Sequence, residues 1–215
     1  TKHGFHDIYK AFKKHDADIL IGTQMIAKGL HLPKVNLVGV VLSDIGLNIP
    51  DFRTAERNFQ LMTQVSGRAG RGDKPGKVII QTYSPDNTSL LHTKSNNYAE
   101  FFNFERTQRK LLSYPPFGKL TKILIEEKSL QKCKDRADKI ERTLWKNARE
   151  LDLTEDLEIN IYPAYLTRLR GKYRYIILIK SKSKKEIIHK ILEKLEKEDI
   201  MNPGIKIDID PITTT

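Results

Sequence analysis

The chain has 215 residues, which is enough for two modest hydrophobic cores because single domains commonly hold ~100–150 residues. Its net charge is +11, and the basic excess is shared between +6 up to residue 112 and +5 beyond it. This distribution excludes a simple basic tail and favours a polyanionic partner, although ordinary solvated lysine-rich faces would also produce it. No apolar run approaches the ~20 residues that a membrane-spanning helix needs.

The first part of the chain alternates between apolar runs and one helical pattern. Parallel strands are predicted at residues 19–21, 35–42 and 76–83, because each is a short apolar run bounded by polar or glycine positions. A helix is predicted to open at Asp51, with the inner-face residues Phe59, Met62 and Val65. Strands separated by a helix are typical of an α/β sheet.

Two segments beside these strands carry groups that suit phosphate chemistry. Thr23 and Lys28 follow the first predicted strand, and a hydroxyl with a lysine in this place can bind a phosphate backbone or a nucleotide. Further along, residues 64–71 read Gln-Val-Ser-Gly-Arg-Ala-Gly-Arg. If this octet is helical, Gln64, Arg68 and Arg71 share one face, and two guanidiniums with an amide suit a polyphosphate. The alternative is a solvated basic helix end, which the interleaved glycines make less favourable.

The second part of the chain predicts a separate small domain. A helical pattern covers residues 87–112, and Pro115-Pro116 then enforces an extended link. Beyond it, strands are predicted at 120–125, 157–162, 173–180 and 205–209, with helices from Leu130 to Leu151 and at 184–198. The order βαββαβ predicts a ferredoxin-like fold, so the domains are expected at 1–112 and 113–215.

The segment between the two middle strands is basic and rich in tyrosine. Between Leu166 and Lys185 there is no acidic residue. The basic residues there are Arg168, Arg170, Lys172, Arg174, Lys180, Lys182, Lys184 and Lys185. Together with interleaved tyrosines they suit a phosphate backbone and stacked bases. The alternative is a hairpin in which Tyr173 and Tyr175 pack inward while the basic residues alternate outward.

Several of these motifs resemble those of one enzyme family. Gly-Thr-Gln-Met-Ile-Ala-Lys-Gly at 22–29 is similar to motif V of superfamily-two helicases, and the octet is similar to their motif VI. Pro-Asp-Phe-Arg-Thr-Ala-Glu-Arg at 50–57 resembles the bacterial primosomal replication-restart helicases, the PriA family. Tyr-Pro-Pro-Phe at 114–117, Tyr-Arg-Tyr at 173–175 and Asp-Ile-Asp-Pro-Ile at 208–212 extend the resemblance over nearly the whole chain.

This resemblance implies roles for individual residues. It implies a partial RecA-like second lobe, with Arg71 as arginine finger and Arg68 on the phosphates or the interlobe face. Gln64 would orient the attacking water or relay between sites. Gly29 and His31 would approach ATP, and Thr23 would hold a DNA phosphate. His31 replaces the Asp that is frequent in the wider superfamily, as it does in this family.

The resemblance also implies cofactors and partners. The full enzyme would use ATP and Mg²⁺, bound mainly by a first lobe, and the family carries a cysteine-rich zinc region. This chain has no Gly-x-x-x-x-Gly-Lys-Ser/Thr loop, no Asp-Glu-x-His box and only Cys133, so neither the phosphate cradle nor a cysteine zinc site is expected in it. We expect a C-terminal piece that does not hydrolyse ATP alone. Expected partners are branched and single-stranded DNA, the acidic tail of single-stranded-DNA-binding protein and other primosome proteins.

Other classes of function stay open at this point. A non-enzymatic nucleic-acid-binding module with degenerate motor motifs would show the same basic hairpin, but the intact Gln64, Arg68 and Arg71 argue against decay. An adaptor that recruits acidic tails would show the same charge. The single cysteine and the lack of a signal peptide favour a cytoplasmic location, which for the family is bacterial and nucleoid-associated.

Overall fold

The computed structural model describes residues 2–27, 35–70, 76–182, 185–197 and 204–215. The chain forms two compact units. The first consists of Thr1–Leu47 and Ala55–Tyr98, and the second of Asn48–Thr54 and Ala99–Thr215. The short segment Asn48–Thr54 therefore packs with the second unit although it lies within the first in sequence.

The first unit contains a small parallel sheet with helices. Strands β1 and β2 pair in parallel, with Leu37 opposite Lys77. Along the chain the elements are α1 (Lys2–Lys14), α2 (Gln24–Ala27), β1 (Leu37–Val40), a 3-10 turn (Ser43–Gly46), α3 (Thr54–Ser66), β2 (Lys77–Ile80) and α4 (Thr88–Ser95). A parallel pair needs a crossover connection, and α3 lies in that connection. The α/β class predicted for this part is confirmed.

The strand predicted at 19–21 is wrong. Ile19 and Ile21 are 78% and 89% exposed, and no strand forms there. Among the described residues β1 pairs only with β2, so the apolar run has no hydrogen-bonded neighbour to complete a strand.

The helical pattern predicted at 87–112 forms two helices rather than one. The first ends at Ser95 and the second, α5, runs over Tyr98–Leu111. Asn96 between them adopts φ 51°, a left-handed conformation that ends a helix, and its N–H donates to the carbonyl oxygens of His92 and Thr93.

The second unit carries a four-stranded antiparallel sheet covered by two helices. Its elements after α5 are β3 (Lys119–Glu127), α6 (Leu130–Glu150), a 3-10 turn (Thr154–Asp156), β4 (Leu157–Leu169), β5 (Lys172–Ser181), α7 (Lys185–Lys197) and β6 (Ile205–Ile209). The strand order is β4-β5-β3-β6, and every neighbouring pair is antiparallel. This order, with the sequence βαββαβ, confirms the predicted ferredoxin-like fold.

The two faces of this sheet bury different groups. On one face, the apolar stripe of α6 packs against β3 and β5, and Cys133, Ala137, Ile140 and Leu144 are fully buried. Burial raises the pKa of the Cys133 thiol, so this cysteine is a packing residue. The other face buries Leu120, Ala164, Ile176 and Leu178 with Phe52 and Tyr114 against them. Across the described parts of the chain, no helix is long and apolar enough to cross a membrane.

Candidate nucleotide and nucleic-acid sites

Helix α3 leads into the octet, and its start is set by a turn at Asp51. The Asp51 carbonyl oxygen accepts the Thr54 N–H at 3.0 Å, and Asp51 Oδ1 accepts the Arg53 N–H at 2.8 Å. Asp51 thus organises the turn that precedes the helix, which begins at Thr54 and not at Asp51 as predicted. Phe59 and Met62 are buried, as predicted for the inner face of this helix.

The octet is helical only in its first part. Helix α3 ends at Ser66, and the Arg68 and Ala69 N–H groups donate to Val65 and Ser66 in a turn. The condition for one shared helical face of Gln64, Arg68 and Arg71 therefore holds only as far as Ser66, and Arg71 lies outside the described residues. Beyond this turn Gly70 adopts φ 74°, and a Cβ on Gly76 would lie 2.1 Å from the Gly70 nitrogen, so glycine permits a close approach of the backbone there.

Three of the predicted site residues, Thr23, Gln64 and Arg68, lie within the described part of the first unit. Gln64 is exposed on the last turn of α3, and Arg68 is partly buried just beyond it. Thr23 is exposed before α2, with its Oγ1 3.5 Å from the Met25 nitrogen. The predicted site residues Lys28, Gly29, His31 and Arg71 lie outside the described residues.

Asp44 is a buried carboxylate that sequence reasoning did not single out. It follows β1 and accepts hydrogen bonds from the Tyr83 N–H at 3.1 Å and the Thr82 hydroxyl at 3.0 Å, just beyond β2. Burial acts to raise the pKa of Asp44, but these hydrogen bonds outweigh it and hold the pKa below its ordinary value. Asp44 thus ties the carboxyl ends of the two parallel strands together. The sequence did contain a signal for Asp44, because it is a lone acidic residue directly after an apolar strand, where a carboxylate can accept backbone N–H groups.

The basic hairpin of the second unit divides into exposed and buried charges. Arg168, Arg170 and Lys172 are exposed around the β4–β5 turn, where Arg170 and Gly171 adopt φ 50° and 79°. Arg174 is only 16% exposed, and its Nε lies 3.7 Å from Glu126 Oε1. Lys180 is buried. The run of basic residues is therefore not one continuous surface.

The tyrosines of the hairpin also divide. Tyr173 and Tyr175 pack partly buried against the main core, so the packing interpretation is confirmed for both. The Arg168 guanidinium lies 5.3 Å from the centroid of the Tyr173 ring, which is cation–π distance. Tyr165 differs, because its side chain is exposed.

A cavity of about 610 Å³ lies on the second face of the sheet, within the second unit. Its aromatic wall is Phe52 stacked on Tyr114, with ring centroids 5.3 Å apart. Lys180 Nζ lies 4.5 Å from the Tyr114 centroid and donates to Glu158 Oε1 at 3.1 Å. The Asp51 carboxylate accepts the Thr214 N–H at 3.0 Å. The segment Asn48–Thr54 forms part of the cavity wall through Pro50, Asp51 and Phe52, and the charges around the cavity already have partners.

Two known protein families match this chain, one in each half of the sequence. The helicase conserved C-terminal domain family matches residues 4–73, and the primosomal protein N C-terminal domain family matches residues 110–212. Replication restart protein PriA of Bacillus subtilis is 42% identical over 216 residues, covering 98% of this chain and 26% of the relative.

Two other relatives with the same name have nearly the same sequence identity to this chain. The protein of Synechocystis is 41% identical and covers 94% of this chain and 24% of its own length. That of Chlamydia trachomatis is 39% identical and covers 98% and 28%. The chain thus spans about a quarter of the length of the curated relatives it matches. With two family matches in order and these identities over nearly its whole length, the chain is similar to one part of replication restart protein PriA.

Proposed function

We propose that this chain is part of an ATP-driven DNA helicase that restarts replication at stalled forks. The first unit would supply motifs V and VI of the second motor lobe, and the second unit would bind DNA. One observation carries the proposal: an intact Gln-Val-Ser-Gly-Arg-Ala-Gly-Arg octet begins on the last turns of α3, within the residues that match the helicase family. A vestigial motor would have no reason to keep its amide and both guanidiniums.

The motor chemistry proposed for the octet is electrostatic. Arg71 would act as an arginine finger on the γ-phosphate, because a guanidinium stabilises the charge of the transferring phosphoryl group. Arg68 would contact the phosphates or the facing lobe, and Gln64 would orient the attacking water. The donor set suits a polyphosphate, which fits ATP. Gly29 and His31 would approach the nucleotide.

The parts that hold Mg²⁺ and cradle the phosphates are absent from the sequence of this chain. We therefore propose that these 215 residues do not hydrolyse ATP alone, and that ATP and Mg²⁺ are held mainly by another lobe of a longer protein.

The proposed DNA contacts lie in both units. In the first unit, Thr23 and Lys28 would hold a phosphate of the DNA strand along which the motor moves. In the second, the exposed charges Arg168, Arg170 and Lys172 would bind phosphates around the hairpin turn. Arg174 would support this DNA-binding turn indirectly, because its Nη1 donates to the Leu166 carbonyl oxygen at 3.4 Å.

The wider role is proposed from the family. The substrate would be branched and single-stranded DNA, unwound 3′ to 5′. Partners would be the tail of single-stranded-DNA-binding protein and other primosome proteins, in the bacterial cytoplasm at the nucleoid. The names of the relatives support replication restart in general terms.

The DNA-binding part of the proposal can be tested with this chain. Reversing Arg168 and Arg170 to Glu should weaken binding of a forked DNA at least tenfold and lower the salt slope by about two, since each phosphate contact contributes about one. Fluorescence anisotropy at several salt concentrations measures both quantities.

A matched control is available on α6. Arg142 and Arg149 are exposed, so the double change Arg142→Glu and Arg149→Glu alters net charge equally on another surface. If both double variants lose the same affinity, binding follows overall charge and the hairpin is not the site.

A further inference from the structure

Strand β4 contains a large bulge that the sequence pattern does not reveal. Pro163 pairs with Tyr175 and Arg168 with Tyr173, so residues 164–167 of β4 lie opposite the single residue Arg174 of β5. Such irregularities redirect side chains out of the sheet and are frequent next to functional sites.

The bulge is held by specific contacts. Ala164 is buried in the smaller core and anchors one end. The Thr167 hydroxyl donates to the Ala164 carbonyl oxygen at 3.1 Å, and Arg174 Nη1 reaches the Leu166 carbonyl oxygen at 3.4 Å. The backbone of the bulge is therefore fixed by the fold.

This fixed backbone presents two apolar side chains to solvent. Tyr165 and Leu166 are 55% and 54% exposed. The exposed charges Arg168, Arg170 and Lys172 follow them in the same hairpin, where no acidic residue occurs from Leu166 to Lys185. Glu126 on the neighbouring strand β3 is already paired with Arg174 and Lys206. An exposed aromatic ring with cations in the same hairpin is complementary to a nucleic acid.

Resting on the DNA-binding function proposed above, we propose that Tyr165 stacks on an unpaired base at the junction of single- and double-stranded DNA. The three neighbouring cations hold the phosphates on either side of that base. A base inside a duplex has both faces covered by its neighbours, whereas an unpaired base offers a free face to the ring. Stacking is independent of base identity, which suits a protein that acts on forks of any sequence.

The test uses this chain and a fork with 2-aminopurine as the unpaired base next to the junction. Tyr165→Ala should weaken fork binding about tenfold and abolish the fluorescence quenching of 2-aminopurine, while leaving the salt slope unchanged. Tyr165→Phe should bind like the unchanged chain, because the ring is kept. Affinity for a blunt duplex should change less than twofold.

A matched control is Tyr83→Ala, which removes an exposed tyrosine of the first unit. If Tyr165→Ala keeps its fork affinity while the reversal of Arg168 and Arg170 loses it, the stacking site is overturned. The proposed DNA-binding function would then still stand. Equal losses on fork and blunt duplex would also overturn it. If the unchanged chain binds an acidic peptide and no fork, both proposals fail.

Discussion

At the scale of residues, the charged side chains divide into those that organise backbone and those that face solvent. Asp44 and Asp51 are buried and accept backbone N–H groups from distant parts of the chain. Lys180 is buried over the Tyr114 ring and donates a hydrogen bond to Glu158. A charge inside a protein usually has such a hydrogen-bond partner. Sequence composition counts these residues equally with exposed ones, so it overstates the charge available to a partner.

Asp44 gives a prediction with a defined pH dependence. Its folded pKa is lowered, so its stabilisation is present above the unfolded pKa of about 3.9 and is lost as the pH falls through the folded pKa. Asp44→Asn should therefore lower the melting temperature of the first unit at pH 7, and the difference from the unchanged chain should shrink as the pH falls below about 4.

Thermal unfolding followed by circular dichroism at a series of pH values measures this difference. Asp86→Asn, at an exposed carboxylate in the loop after β2, is the control and should have little effect at any pH. A loss in Asp44→Asn that is the same at pH 7 and in acid would contradict the assigned role.

At the scale of elements, α6 is the main support of the second unit. Its fully buried residues cover β3 and β5, and Ile140 lies in the middle of that stripe. Ile140→Ala should lower the free energy of unfolding of the second unit by ~2–5 kcal/mol, because it removes buried methyl groups and leaves a cavity.

Urea denaturation followed by Trp145 fluorescence measures this change in the second unit alone, since Trp145 is the single tryptophan and packs against the same core. Leu130→Ala is the control, because Leu130 is 46% exposed and should cost much less. Equal losses in the two variants would contradict the packing described for α6.

The elements also show what the sequence could and could not predict. Strand β6 was predicted with its observed bounds, because local periodicity determines it. The break between α4 and α5 depends on a left-handed conformation at the single residue Asn96. The bulge at 164–167 depends on its partner strand, which local periodicity does not contain.

At the scale of the whole molecule, the chain passes between its two units after Leu47, after Thr54 and after Tyr98. Asn48–Thr54 belongs to the second unit, where Phe52 stacks on Tyr114 and Asp51 accepts the Thr214 N–H. Residues 50–57, which carry part of the family resemblance, therefore do more than begin helix α3, because residues 50–54 pack within the second unit. A separate domain cut at residue 113 would lack Phe52 and Asp51.

The central claim is that this chain supplies the arginine finger of a nucleotide site whose other wall lies elsewhere in a longer protein. The most direct measurement is DNA-stimulated ATP hydrolysis by that longer protein and by its Arg71→Ala variant, with this 215-residue chain alone as the blank. We predict that Arg71→Ala binds fork DNA normally and loses ATP turnover on the order of 10³-fold, and that the chain alone shows none. Near-normal turnover in Arg71→Ala, or DNA-stimulated turnover by the chain alone, would contradict the account.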